Sequence, residues 1–169
     1  MAVVTNAEAA SRAVDLGATI IQLRAPDVSA RQVEEMARLL TASKVPLLIS
    51  SRCDMAIATG AAGVNLPEKD IPIAEARRLL GPKRLVGRSV HTLEAARESA
   101  RQGADYVIFG PVWTSPTHAG GDAQGLSALA RVARSVKIPV LAIGGVTRER
   151  IAACLAAGAA GYAAIRLFR

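Results

Sequence analysis

One pattern constrains this chain before any other. Short apolar runs alternate with amphipathic stretches from end to end, and one version of the unit recurs. Lys44-Val-Pro-Leu-Leu-Ile is matched by Lys137-Ile-Pro-Val-Leu-Ala-Ile. Each is followed by a short helical stretch and then by Gly-Ala-Ala-Gly, at 60–63 and 158–161. The same helix-ending Gly-Ala recurs at Gly17-Ala18 and Gly103-Ala104; glycine ends helices well because it tolerates left-handed backbone. A strand–helix unit has therefore been used repeatedly. The apolar runs predict strands over 2–5, 20–24, 47–50, 63–66, 85–89, 106–109, 140–143 and 161–165. Their uniform apolarity is that of strands covered on both faces. Helices are predicted over 7–16, 30–42, 54–59, 73–80, 93–102, 126–136 and 148–157. In the second of these, Val33, Met36, Ala37 and Leu40 share one face. Eight such strands with a regular repeat favour a closed parallel (β/α)₈ TIM barrel, as a single domain over 1–169, rather than an open sheet.

The barrel is compact. A chain of 169 residues allows about 21 per unit, whereas such barrels commonly use roughly 200–250 in all. No eighth helix follows the last strand, so the seam between the last and first strands is expected to be bare and covered by association into a homo-oligomer. The composition, 51% hydrophobic and 21% charged, suits one soluble domain. No apolar run approaches the ~20 residues of a membrane span, and no membrane partner is expected. Met1 leads straight into a strand, and Cys53 and Cys154 match no metal-ligand spacing, so a cytoplasmic protein with reduced thiols is expected. Net charge is +7, from 17 arginines and 4 lysines against 14 acidic residues. Many of the arginines fall on outer helices and only five aromatics exist; without a base-stacking platform, nucleic acid is not the expected partner. A small anionic substrate is.

In a parallel barrel the strand C-termini face one mouth, where ligands bind. The second strand delivers Gln22 and Arg24 there, and the third Ser50, Ser51 and Arg52. The fourth delivers Asn65, followed by Glu68, Lys69 and Asp70, and the fifth Arg88, Ser89 and His91. After the sixth comes the longest loop, 110–122, with Ser115, Thr117 and His118; its length marks a lid. Gly144-Gly145 after the seventh strand leads into a helix whose N–H groups suit a phosphate. Arg166 after the eighth adds charge to the same phosphate site. His91 is the candidate general acid/base and Ser89 its hydrogen-bonding partner, the alternative being a histidine that merely holds the strand–helix turn. No metal cluster stands out, since Asp70 is the main strand-end carboxylate, with Glu68 beside it. Asp54 reads as the cap of the third helix.

These residues, in strings such as Ile21-Gln-Leu-Arg24, Gly63-Val-Asn-Leu66, Gly87-Arg-Ser-Val-His-Thr92, Ala104-Asp-Tyr-Val-Ile-Phe-Gly-Pro-Val112 and Ile138-Pro-Val-Leu-Ala-Ile-Gly-Gly145, resemble the thiamine phosphate synthase superfamily across nearly the whole chain. The resemblance implies a (β/α)₈ barrel and one of two activities. A synthase joins a hydroxymethylpyrimidine diphosphate to a thiazole phosphate with Mg²⁺. A thiazole tautomerase, TenI, shifts a proton on a carboxythiazole phosphate and needs no cofactor. The synthase pattern has lysine where Pro26 stands, Asn-Asp where Ser50 and Ser51 stand, histidine at Asn65 and lysine at His118. Asp70 keeps the position of a second metal carboxylate, so a metal is expected only if the synthase reading holds. A Ser-Gly after the eighth strand is replaced by Arg166-Leu167. The Gly-Arg-Ser-Val-His string resembles the tautomerase form. The expectation is therefore a tautomerase-like isomerase acting on a phosphate-bearing thiazole. In it His91 moves the proton and Ser89 orients the substrate. Gly144, Gly145 and Arg166 hold the phosphate, and Gln22 or Arg24 meets the carboxylate. The alternatives are a divergent thiamine phosphate synthase, expected to turn over slowly for want of metal carboxylate and lysines, and a non-catalytic relative that binds a thiazole phosphate.

Overall fold

The computed structural model of the chain describes residues 1–114 and 122–168. Strands β1 (Ala2–Val4), β2 (Ile21–Leu23), β3 (Leu47–Ser50), β4 (Gly63–Leu66), β5 (Leu85–Val90), β6 (Tyr106–Phe109), β7 (Val140–Ala142) and β8 (Gly161–Tyr162) run in chain order through one sheet. Helices α1 (Ala7–Asp15), α2 (Ala30–Thr41), α3 (Cys53–Thr59), α4 (Ile73–Leu80), α5 (Leu93–Arg101), α6 (Gly125–Ser135) and α7 (Arg148–Ala156) alternate with them. Every strand pair is parallel. Beyond β8, Ala164 bridges back to Ala2. The Val3 N–H donates to Ala164 O at 3.0 Å, and the Ala164 N–H donates to Met1 O at 3.1 Å. The sheet thus curls until its two edges meet, an α/β TIM-like fold with seven α-helices among the described residues.

Local signals start the helices. Asn6 Oδ1 accepts from the Ala9 N–H at 2.8 Å, and Thr92 Oγ1 accepts from the Ala95 N–H at 3.0 Å. Ser29 and Gln32 form a reciprocal capping box at α2. The expected cap at α3 is not formed. Arg52 occupies that position without a side-chain bond, and Asp54 instead takes the Arg52 guanidinium through two contacts of 2.8 and 2.6 Å. One inward position in each of α1 to α5 is a fully buried alanine: Ala10, Ala37, Ala56, Ala76 and Ala96. A methyl group at that contact lets these five helices lie close on the sheet.

Alternation along the strands sorts side chains into two cores. Ile21, Leu23, Ile49, Val64 and Val86 point outward under the helices. Leu48, Tyr106, Ile108 and Ala163 fill the inside of the ring. There the packing requires one particular glycine. A Cβ on Gly87 would stand 2.0 Å from Cζ of Tyr106, so the phenol ring occupies the space a side chain would need. The eighth strand ends at Tyr162, short of the predicted 165, with Ala164 making a single bridge to Ala2 before a one-turn 3₁₀-helix, Arg166–Phe168. Phe168 is 5% exposed and stacks on Tyr162 with ring centroids 6.3 Å apart. The seam is therefore not the bare apolar strip expected from the sequence.

Gly87→Ala should lower unfolding free energy by about 1–3 kcal/mol, the usual cost of overpacking a filled interior. Urea denaturation followed by circular dichroism checks it. An unchanged midpoint would mean that the Tyr106 ring does not lie over Gly87.

Candidate active site at the mouth of the sheet

The inward positions nearest the strand C-termini enclose a hollow of about 180 Å³. Its polar wall is made by Gln22, Arg24, Ser50, Asn65, Ser89 and His91, with Glu68 from the loop after β4. Val3, Ile108, Ile143 and Ile165 line it from below and from the far side, and Gly110, Pro111 and Gly144 close one flank. Strand register explains the grouping. Ser50 pairs with Asn65, Asn65 with Gly87, and Ser89 with Ile108.

Two amides hold two serines. Gln22 Nε2 donates to Ser50 Oγ at 3.3 Å, and Asn65 Nδ2 donates to Ser89 Oγ at 3.0 Å. Beneath them the buried Tyr106 hydroxyl donates to Asn65 Oδ1 at 3.1 Å. Burial pushes the Tyr106 phenol far above its ordinary value, with Asp105 adding to the effect, so it stays a neutral donor. His91 Nδ1 lies 2.5 Å from Gly110 O. A carbonyl can only accept, so Nδ1 carries the proton and the neutral ring keeps its lone pair on Nε2. That nitrogen faces Glu68 Oε2 at 3.7 Å, at the rim, where the imidazole is about half exposed.

Other expected site residues lie elsewhere. Arg88 neighbours Ser89 on β5, so alternation sends it to the opposite face. Its guanidinium donates to Pro67 O at 2.6 Å and Ile71 O at 2.5 Å, with longer contacts of 3.4 Å to Glu68 O and Asp70 O. It binds the loop after β4 rather than a substrate. Burial lowers its basicity, and Asp70 and Glu68 offset this in part. Asp70 Oδ1 accepts from the Ile71 N–H at 2.8 Å, and its side chain lines a hollow on the outer face beside Arg88 and Glu98. Arg166 starts the 3₁₀-helix, is exposed, and does not line the mouth. Gly144 does line it, but Gly145 packs against Trp113 and Thr114, and its carbonyl takes the Arg150 guanidinium at 2.8 Å. Ser115, Thr117 and His118 lie outside the described residues. Ser51 does not line the hollow but sits at φ 64°, left-handed backbone that Asn and Asp adopt more readily than Ser.

The sequence ranks Asp70 ahead of Glu68, the carboxylate that lines the mouth, and gives no role to Tyr106, the support of its floor. A glycine paired directly opposite a tyrosine, Gly87 against Tyr106, is the signal that would have found the second. The residues do not fit a resident magnesium ion. Among the described residues no three His, Cys, Asp or Glu side chains stand close enough to share a metal, and the mouth offers one carboxylate. Cys53 and Cys154 are buried and burial raises both thiols, which makes them poor nucleophiles.

A parallel sheet curled into a ring, with its polar residues gathered at the strand C-termini, is the architecture of a TIM-like enzyme class. Within that class the chain belongs to the TMP-TENI family, described as thiamine monophosphate synthase, whose model matches residues 3–168. A thiamine-phosphate synthase of Anaeromyxobacter dehalogenans is 44% identical over 160 residues, 92% of this chain and 72% of that protein. A putative thiamine-phosphate synthase of Geobacter sulfurreducens is 44% identical over 154 residues, 88% of this chain and 72% of that protein. Among solved structures, thiamine phosphate pyrophosphorylase from Pyrococcus furiosus superposes with a TM-score of 0.86 at 33% identity, covering 97% of this chain and 84% of that one. These findings overturn the tautomerase expectation. Relatives matching most of the chain carry the synthase name, and the Gly-Arg-Ser-Val-His string does not outweigh them.

Arg88→Lys should cost about 2–3 kcal/mol of stability, because a single ammonium cannot reach the carbonyls that the guanidinium holds. Arg24→Ala, at an exposed position, should leave stability within about 0.5 kcal/mol. Parallel denaturant titrations decide both; equal effects would refute the assignment of the two arginines to different faces.

Proposed function

We propose that the chain is a thiamine-phosphate synthase, a transferase that joins the pyrimidine of a hydroxymethylpyrimidine diphosphate to a thiazole phosphate and releases diphosphate. The observation that carries this reading is the 44% identity, over 92% of the chain, to the Anaeromyxobacter thiamine-phosphate synthase. The mouth supports it chemically. Breaking the carbon–oxygen bond to diphosphate concentrates negative charge on the leaving oxygens, and donors placed there in advance lower the barrier. Arg24 supplies a fixed cation, while Ser50 and Ser89 supply hydroxyls. His91, with its Nδ1–H spent on Gly110, offers Nε2 to the ligand side. The described residues build no site that would hold Mg²⁺ by themselves.

The chain is a divergent member of that group. Pro26, Ser51 and His118 stand where the synthase pattern has lysine, aspartate and lysine. Less charge is thus available to the leaving group, and Arg24 carries a larger share of the work.

Purified protein given both substrates and Mg²⁺ should form thiamine phosphate above an enzyme-free control, read by chromatography. Arg24→Ala should lower kcat/KM by roughly 10–100-fold, the range for losing a charged contact to a phosphate. Pro26→Lys with Ser51→Asp should raise turnover, because position 51 already holds the backbone that aspartate tolerates. No product from the parent chain under these conditions would refute the proposal.

A further inference from the structure

Below the mouth lies a hydrogen-bond chain with a fixed direction. Tyr106 is 7% exposed and Asn65 2% exposed, so neither can turn to water for a partner. The phenol sits over Gly87 and its oxygen meets Asn65 Oδ1 at 3.1 Å. The buried phenol proton has no other described acceptor, so the phenol donates and the Asn65 carbonyl oxygen is the atom that faces it. The Asn65 NH₂ is then turned toward Ser89 Oγ at 3.0 Å, and it can only donate. Ser89 is thereby held as an acceptor on its inner side, and its own proton has no described residue to go to. The hydroxyl lines the hollow.

We infer that Tyr106 and Asn65 are positioning residues that make Ser89 a hydrogen-bond donor to the substrate. The acceptor is an anionic phosphate oxygen or another acceptor atom of the bound ligand. The inference rests on the synthase reading only for the ligand's identity. Without the phenol, the Asn65 amide is free to flip, and its oxygen can then take the Ser89 proton. Without the amide nitrogen, as in Asn65→Asp, both carboxylate oxygens compete for that proton. Either change withdraws the donor from the mouth while leaving Ser89 in place.

The test is binding of thiamine phosphate by calorimetry, together with turnover, for the parent chain, Ser89→Ala, Tyr106→Phe, Asn65→Asp and the Ser89→Ala/Tyr106→Phe double variant. Ser89→Ala should weaken binding about tenfold, the value of one hydrogen bond to a charged group. Tyr106→Phe, which keeps the ring over Gly87 and a folded chain by circular dichroism, should weaken it about three- to tenfold. The double variant should bind no worse than Ser89→Ala alone, because both changes remove one donor. Additive losses, or parent-like binding by Ser89→Ala or by Tyr106→Phe, overturn the inference, as does a parent chain that does not bind thiamine phosphate. Asn65→Asp, if folded, should match Ser89→Ala, and parent-like binding by it also counts against. Binding that follows the expected pattern without any turnover overturns the synthase reading alone.

Discussion

The backbone hydrogen bonds that tie Val3, Ala164 and Met1 together are few, and the rest depends on them. They convert a sheet with two edges into a ring with an inside. An open sheet would offer β1 and β8 as unpaired edges. It would also leave its inward residues on a face that needs another layer. Closed, the same residues pack only against one another. The side-chain period of two then decides every position, because each strand sends alternate residues in or out and no residue does both.

Within the ring, polarity is stratified. Leu48, Ile108 and Ala163 contribute an apolar floor. Amide and hydroxyl groups from β2 to β5 stand above it, linked in pairs across adjoining strands, with the Ser89 hydroxyl left facing the hollow. Tyr106 joins the two layers, its ring packed with the floor and its oxygen in the polar network. The arrangement places polar atoms in a buried region at little cost, since an unpaired donor there would forfeit its hydration without return. The Arg88 guanidinium solves the same problem on the outer face, where four loop carbonyls converge on it.

The ring and its mouth were legible because apolar runs, glycine punctuation and a repeated unit all report the same periodicity. Gln22, Ser50, Asn65 and Ser89 could be placed there from strand ends alone. Arg88 and Ser89 could not both be there, and strict alternation would have separated them. Arg166 was misplaced for a different reason: β8 gives way early to a 3₁₀ turn, and nothing in Ala163-Ala164-Ile165 marks that change. Glu68 and Asp70 lie on a loop, where no period constrains direction, so the sequence does not choose between them. The branch of the family was the least legible. A short string around His91 resembled the tautomerase form, yet similarity over most of the chain points to the synthase. A positioned imidazole serves either chemistry, so the string alone cannot discriminate between them.

The filled floor has a consequence for traffic. Tyr106 seated over Gly87, with Leu48 and Ile108 beside it, fills the ring beneath the mouth. The mouth is then both entrance and exit. Any two ligands held there together would share one doorway, and the one seated deeper would have to go in first. Departure runs in reverse, with the group nearest the rim leaving before the one beneath it. Sequence of events, in such a vessel, is imposed by its shape.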